Sequence, residues 1–360
     1  MKRLLIAVLI SLLCPPITHA DTNVKIAEPS HRGADGLFLD NQLANLVRAQ
    51  GELRKLVRTS SASLIVDIAT LEEIADLADG YSYLNDAEES VEVEKLTAAT
   101  NLLRQISRLA KDKEILVLPY GNPDLDLFEK NPKDLEFYQQ IALSKASNYF
   151  TNFKLAPLVS DGVVSELPQS FYTTYRRELR ALNIATTDPQ VVTLRSELAK
   201  VLNPDLSEAS AGVLMSTLRN LIRENEKRLR IVAGNYTITA SKYDLPITVI
   251  NEFATPITTE LSVRSSNSRV RIGNVEPLII EPGSQVQVEI PIEVIASGQS
   301  RLDIKLTNSN GAQIGQSKSV ELQLAVISPL TTWFTTGMAI ILLLAAVVQS
   351  IRRVKRRKHE

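Results

Sequence analysis

The hydrophobic period changes at Leu229, and this change constrains the fold more than any other feature of the sequence. Downstream the period is 2. Val286, Val288, Ile290, Ile292 and Val294 alternate with Gln285, Gln287, Glu289, Pro291 and Glu293. Leu302, Ile304 and Leu306 alternate in the same way, as do Val320, Leu322, Leu324 and Val326. Glu281-Pro282-Gly283-Ser284, Ser297-Gly298 and Asn308-Ser309-Asn310-Gly311 supply turns between the runs. Alternation of this kind buries one face of each strand, so about seven or eight short strands are expected over 230–327, as an all-β immunoglobulin-like sandwich. Such modules serve as spacers or binding platforms, and this one carries no ionisable cluster suited to catalysis.

Upstream the period is helical. Leu39, Leu43, Leu46, Val47, Leu53 and Val57 predict a helix over 36–57. A short buried strand follows at Ser63–Asp67. Thr70 and Glu73 form a capping box for a helix that runs through Asp79 and stops at Gly80. Residues 91–112 read as helix, and Ile115–Leu118 as a second buried strand. All-apolar strands between amphipathic helices predict an α/β region over 21–229 with a parallel sheet, a partial βα-barrel being one form of it. Residues 131–190 are the most aromatic stretch, with Tyr138, Tyr149, Phe150, Phe153, Phe171, Tyr172 and Tyr175 serving core packing or stacking on sugar rings. A helix capped by Ser207 closes the region.

In a parallel sheet, loops after the carboxyl ends of the strands form the ligand crevice. Asp67 ends one predicted strand, and Asp124 and Asp126 follow the other. Two readings stand. The three carboxylates meet at a catalytic or binding rim, or they serve the backbone. In the second case Asp124 and Asp126 sit in the first turn of a helix that starts at Pro123, and Asp67 bonds loop amides.

The ends of the chain predict its address. Lys2, Arg3, the apolar run Leu4–Leu13 and the exit Thr18-His19-Ala20 form a secretory signal peptide over 1–20. Cys14 follows Leu13, not the Gly or Ala of a lipoprotein signal. The uncharged stretch 331–349 predicts one transmembrane helix. Beyond it, Arg352, Arg353, Lys355, Arg356, Arg357 and Lys358 form a basic tail over 350–360, held in the cytoplasm and attracted to anionic lipid headgroups. With the formal charge of −1 distributed this way, the part between is acidic by about eight charges, which disfavours nucleic acid.

Cys14 is the sole cysteine, and the histidines are His19, His31 and His359. An exported body would hold only His31, read here as a solvated loop residue. Zinc catalysis, cysteine transpeptidation and a nucleotide loop therefore lack their residues, and no metal or cofactor is expected. Carboxylate chemistry such as glycoside hydrolysis survives, as does Ser-Lys catalysis.

Three segments carry a resemblance: SLIVDIATLEEIADLADGY, LVLPYGNPD and RLRIVAGNYTITASKYDLPITVINEF. They resemble a family of uncharacterised actinobacterial single-span envelope proteins, over roughly residues 33–130 and 228–358. The match is most specific from Pro119 to Asp124. The family's genes lie near that of the lipid II flippase, so the resemblance implies a role in cell-wall assembly. Residues 131–227 depart from the family's pattern. The expected function is a non-catalytic binding or scaffold protein whose partner is a cell-wall glycan or an envelope membrane protein. The alternatives are a carboxylate-dependent glycan hydrolase using Asp67, Asp124 or Asp126, and an accessory partner of a transporter or flippase.

Overall fold

The computed structural model describes residues 24–59, 63–85, 87, 89–158, 162–325 and 329–356. The signal-peptide expectation lies outside the described residues. Two compact units form: one from the described parts of Met1–Val164 with Ala199–Ala211, the other from those of Ser165–Leu198 with Gly212–Glu360.

The first unit contains β1 (Val24–Ile26), α1 (Gln42–Val47), α2 (Glu52–Thr59), β2 (Leu64–Val66), α3 (Ile68–Asp79), β3 (Tyr81–Leu84) and β4 (Ser90–Val93). It continues with α4 (Thr97–Asp112), β5 (Ile115–Val117), a 3-10 turn (Leu125–Phe128), α5 (Pro132–Ala146) and β6 (Phe153–Leu155). The order β1-β2-β5-β6 makes an all-parallel four-stranded sheet. Ile26, Leu64, Val66, Ile115 and Val117 are fully buried in it, and Leu71, Ile74 and Leu77 of α3 and Leu102 and Ile106 of α4 are buried as well. Each such side chain contributes about 1.5–3 kcal/mol by leaving water. Three local readings change here. Gly51, whose N–H donates to Arg48 O at 2.8 Å, separates α1 from α2, so 36–57 is not one helix. Residues 90–93 pair antiparallel with β3 instead of starting a helix, because Val91 and Val93 alternate with polar neighbours at period 2. Helix α3 begins at Ile68 with Asp67, not Thr70, as its cap.

The second unit contains α6 (Glu166–Ala185), α7 (Pro189–Lys200), α8 (Glu208–Lys227), β7 (Leu229–Val232), β8 (Tyr236–Ile238), β9 (Lys242–Asn251) and β10 (Ile257–Ser265). The stretch Ala199–Ala211, which takes in the last two residues of α7 and the first four of α8, belongs to the first unit. Then come β11 (Val270–Ile272), β12 (Leu278–Ile280), β13 (Ser284–Val294), β14 (Gly298–Thr307), β15 (Gln313–Leu324) and α9 (Pro329–Arg356). The strands form sheets of order β12-β10-β14-β15-β8 and β11-β13-β9-β7. All pairs in them are antiparallel except β8 with β15. Leu245, Ile247 and Val249 of β9, Ile290 of β13, Ile304 of β14 and Leu322 of β15 share one core.

The expected fold class is corrected in two respects. The chain is a mixed α/β protein with several antiparallel sheets, and the unit that holds the alternating strands is not all-β. Ala181, Leu182, Ala185 and Val191, from α6 and α7, are buried in its core, because their small and branched apolar side chains cover strand residues that would otherwise face water. The second correction concerns the predicted transmembrane helix over 331–349. Among the described residues no helix is long and apolar enough to cross a membrane.

Candidate functional site

The three aspartates occupy the carboxyl ends of β2 and β5, and each has a different environment. Asp67 follows β2 and is 1% exposed. Its Oδ1 accepts from Ala69 N at 3.1 Å, capping α3, and from Gly121 N at 3.0 Å, pinning the turn after β5. Asp124 is also buried. Its Oδ1 accepts from Asp126 N at 3.1 Å and its Oδ2 from Val164 N at 3.5 Å, while its own N–H donates to Leu202 O at 2.8 Å. Asp126 is exposed in the 3-10 turn, where a helix starting at Pro123 had been expected. The chain turns there through Gly121 at φ +79° and Asn122 at φ +46°, a left-handed pair that favours these two residue types.

Asp67 stands beside a charged cluster not foreseen from the sequence. Lys200 is 1% exposed and Glu73 is 2% exposed, and their Nζ and Oε1 are 3.3 Å apart. Glu73 also accepts from Ser30 Oγ at 2.5 Å and from His31 N at 2.9 Å. On the preceding residue of α3, Glu72 accepts from Tyr120 OH at 2.7 Å and from Lys145 Nζ at 2.5 Å. Lys145 and Lys200 lie 5.0 and 5.8 Å from the centre of the Tyr120 ring. Burial pushes the Asp67 carboxyl up to about 7, against the lowering effects of Gly121 N, Ala69 N and Lys200.

Glu73 had been read as a capping-box residue and His31 as a solvated loop residue. Both are buried, and His31 Nδ1 lies 3.1 Å from Asp40 Oδ1. A signal for Lys200 does exist in the sequence. It is a lone cation within the apolar stretch Leu198-Ala199-Lys200-Val201-Leu202, where a charge must find a partner. Most of the aromatic stretch is packing. Tyr138, Phe150, Phe171 and Tyr172 are buried, and Tyr138 meets Phe128 edge-on at 5.7 Å.

The arrangement can rigidify the loops after β1, β2 and β5, and it can keep one proton near neutrality. Among the described residues no group of three or more His, Cys, Asp or Glu could hold a metal ion. A surface depression lies elsewhere, in the second unit, lined by Lys242, Asp244, Arg271, Pro291 and Glu293.

No curated protein matches the chain. Solved structures match only in part. Native α2-macroglobulin from Escherichia coli, from domain MG7 to the C-terminus, is 11% identical at a TM-score of 0.22, covering 27% of this chain and 16% of its own. WR4, a C. elegans MSP family member, is 13% identical at 0.22, covering 28% and 99%. The ASH/PapD-like domain 7 of human CEP192 is 12% identical at 0.23, covering 28% and 88%. The chain thus spans about a sixth of the α2-macroglobulin fragment, and likenesses this low carry no functional argument. The family of unknown function DUF6049 matches over residues 60–359, so the chain belongs to that family.

Proposed function

We propose that the protein is a non-catalytic binding or scaffold protein of the cell envelope, acting outside the cytoplasm in cell-wall assembly, as the resemblance to actinobacterial envelope proteins implies. The supporting observation is the use of the candidate carboxylates. Asp67 and Asp124 are buried on backbone amides, and Asp126 is exposed alone. A glycosidase instead needs two carboxyls flanking an open groove, about 5–5.5 Å apart for retention or about 6.5–9.5 Å for inversion. The partner is a cell-wall glycan or an envelope membrane protein. Arg352, Arg353, Lys355, Arg356, Arg357 and Lys358 add attraction to anionic lipids.

A second reading, a carboxylate-dependent glycan hydrolase, is favoured by one observation: Asp67 is held at about 7, within the range of a general acid. One experiment separates the two. The full chain is incubated with purified peptidoglycan, assayed for sedimentation and released reducing ends, and used to capture partners from detergent-solubilised membranes. Glycan binding or capture of an envelope protein, without reducing ends, is expected. Release of reducing ends that is lost in Asp67→Asn would overturn the non-catalytic reading.

A further inference from the structure

Residues 28–41 lie as a strap against α3 and the β3–β4 hairpin. The strap folds back on itself, with Leu39 N donating to His31 O at 2.7 Å and Gly33 N to Leu37 O at 2.8 Å. Its far side joins β3: Phe38 N donates to Ser82 O at 2.9 Å, and Leu84 N to Phe38 O at 3.0 Å. Its near side rests on α3. Glu28 N donates to Thr70 Oγ1 at 3.0 Å, Ser30 and His31 bond Glu73, and Arg32 pairs with Asp76. His31 closes the base of the loop against Asp40, and its Nε2 is buried without a hydrogen bond.

We propose that this strap is a pH-sensitive cover, closed at its base by the protonated His31 imidazole against Asp40 and loosened when that proton leaves. The acids facing the imidazole are Glu28 and Asp40 on the strap and Glu73 on α3. Burial pulls the imidazole down, but the Asp40 hydrogen bond and the three carboxylates together outweigh it, so it titrates above its ordinary 6.5. Asp40 is pushed up by burial and pulled below its ordinary value by the His31 and Gln42 N bonds. The sign follows. A group raised in the fold stabilises it fully below about 6.5, and that stabilisation is lost as pH rises through the folded value.

The test is amide hydrogen exchange on the full chain, expressed as protection factors from pH 5.5 to 8.5. Protection at Gly33 and Leu39 should fall by about tenfold across the range, while the β2 amides hold theirs. In His31→Gln the strap should stay poorly protected at every pH, and in Asp40→Asn the fall should move to lower pH. Flat protection in the unmodified chain would overturn the proposal. So would an equal fall in β2, or an Asp40→Asn profile that overlays the unmodified one.

Discussion

Lys200→Met removes one cation from the buried cluster and keeps the length of the side chain. In the native fold the Lys200 ammonium is 3.3 Å from Glu73 Oε1 and also offsets Asp67. The variant leaves Glu73 charged, 2% exposed, and bonded only by the Ser30 hydroxyl and the His31 amide among its known donors. Breaking a buried pair from one side costs about 3–5 kcal/mol, since the stranded charge keeps its desolvation penalty. For a unit of this size each kcal/mol moves Tm by about 2–4 °C, so a fall of about 6–20 °C is expected by calorimetry near pH 7.5. Adding Glu73→Gln should recover a large part of the loss, because the penalty belongs to the unpaired carboxylate. A loss under about 1 kcal/mol, or a double variant no more stable than Lys200→Met, would refute the reasoning.

Three further outcomes follow from single residues. Asp67 titrates near 7 in the fold against an ordinary 3.8, so the fold keeps a proton that the unfolded chain releases; its contribution should fade as pH rises from about 4 to 7, and Asp67→Asn should flatten that part of the Tm–pH curve. Gly121→Ala places a Cβ 3.1 Å from Lys200 N at φ +79°, and should cost about 1–3 kcal/mol in urea titrations. Asn251, fully buried, donates through Nδ2 to Thr255 O at 3.1 Å and Ile280 O at 3.0 Å and accepts from Phe253 N at 2.9 Å; Asn251→Ala should cost about 2–4 kcal/mol, read from the second unit's thermal transition.

The strands β13, β14 and β15 and the helix α8 were legible because each carries a periodic apolar pattern that one covered face explains, and β2 and β5 because each is an unbroken apolar run. The three-residue strands β1 and β6 were not. Lys25 and Lys154 interrupt Val24–Ile26 and Phe153–Leu155, so neither makes the unbroken apolar run that marked β2 and β5, and neighbouring strands give them their partners. Strand β4 was lost inside the helix read over 91–112, because four residues of alternation weigh little beside sixteen of helical period.

By itself the amino-acid sequence determined the shift in period at Leu229, the scarcity of Cys and His, the basic C-terminus, and the acids after β2 and β5. Those are properties of residue order, and order fixes which side chains share a face. The tertiary structure alone decided what the acids do. Asp67 meets Gly121 across 54 positions, and Glu73 meets Lys200 across 127. Pairings at such separations are set by how strands and helices pack, and the short-range periods of a sequence carry no record of them.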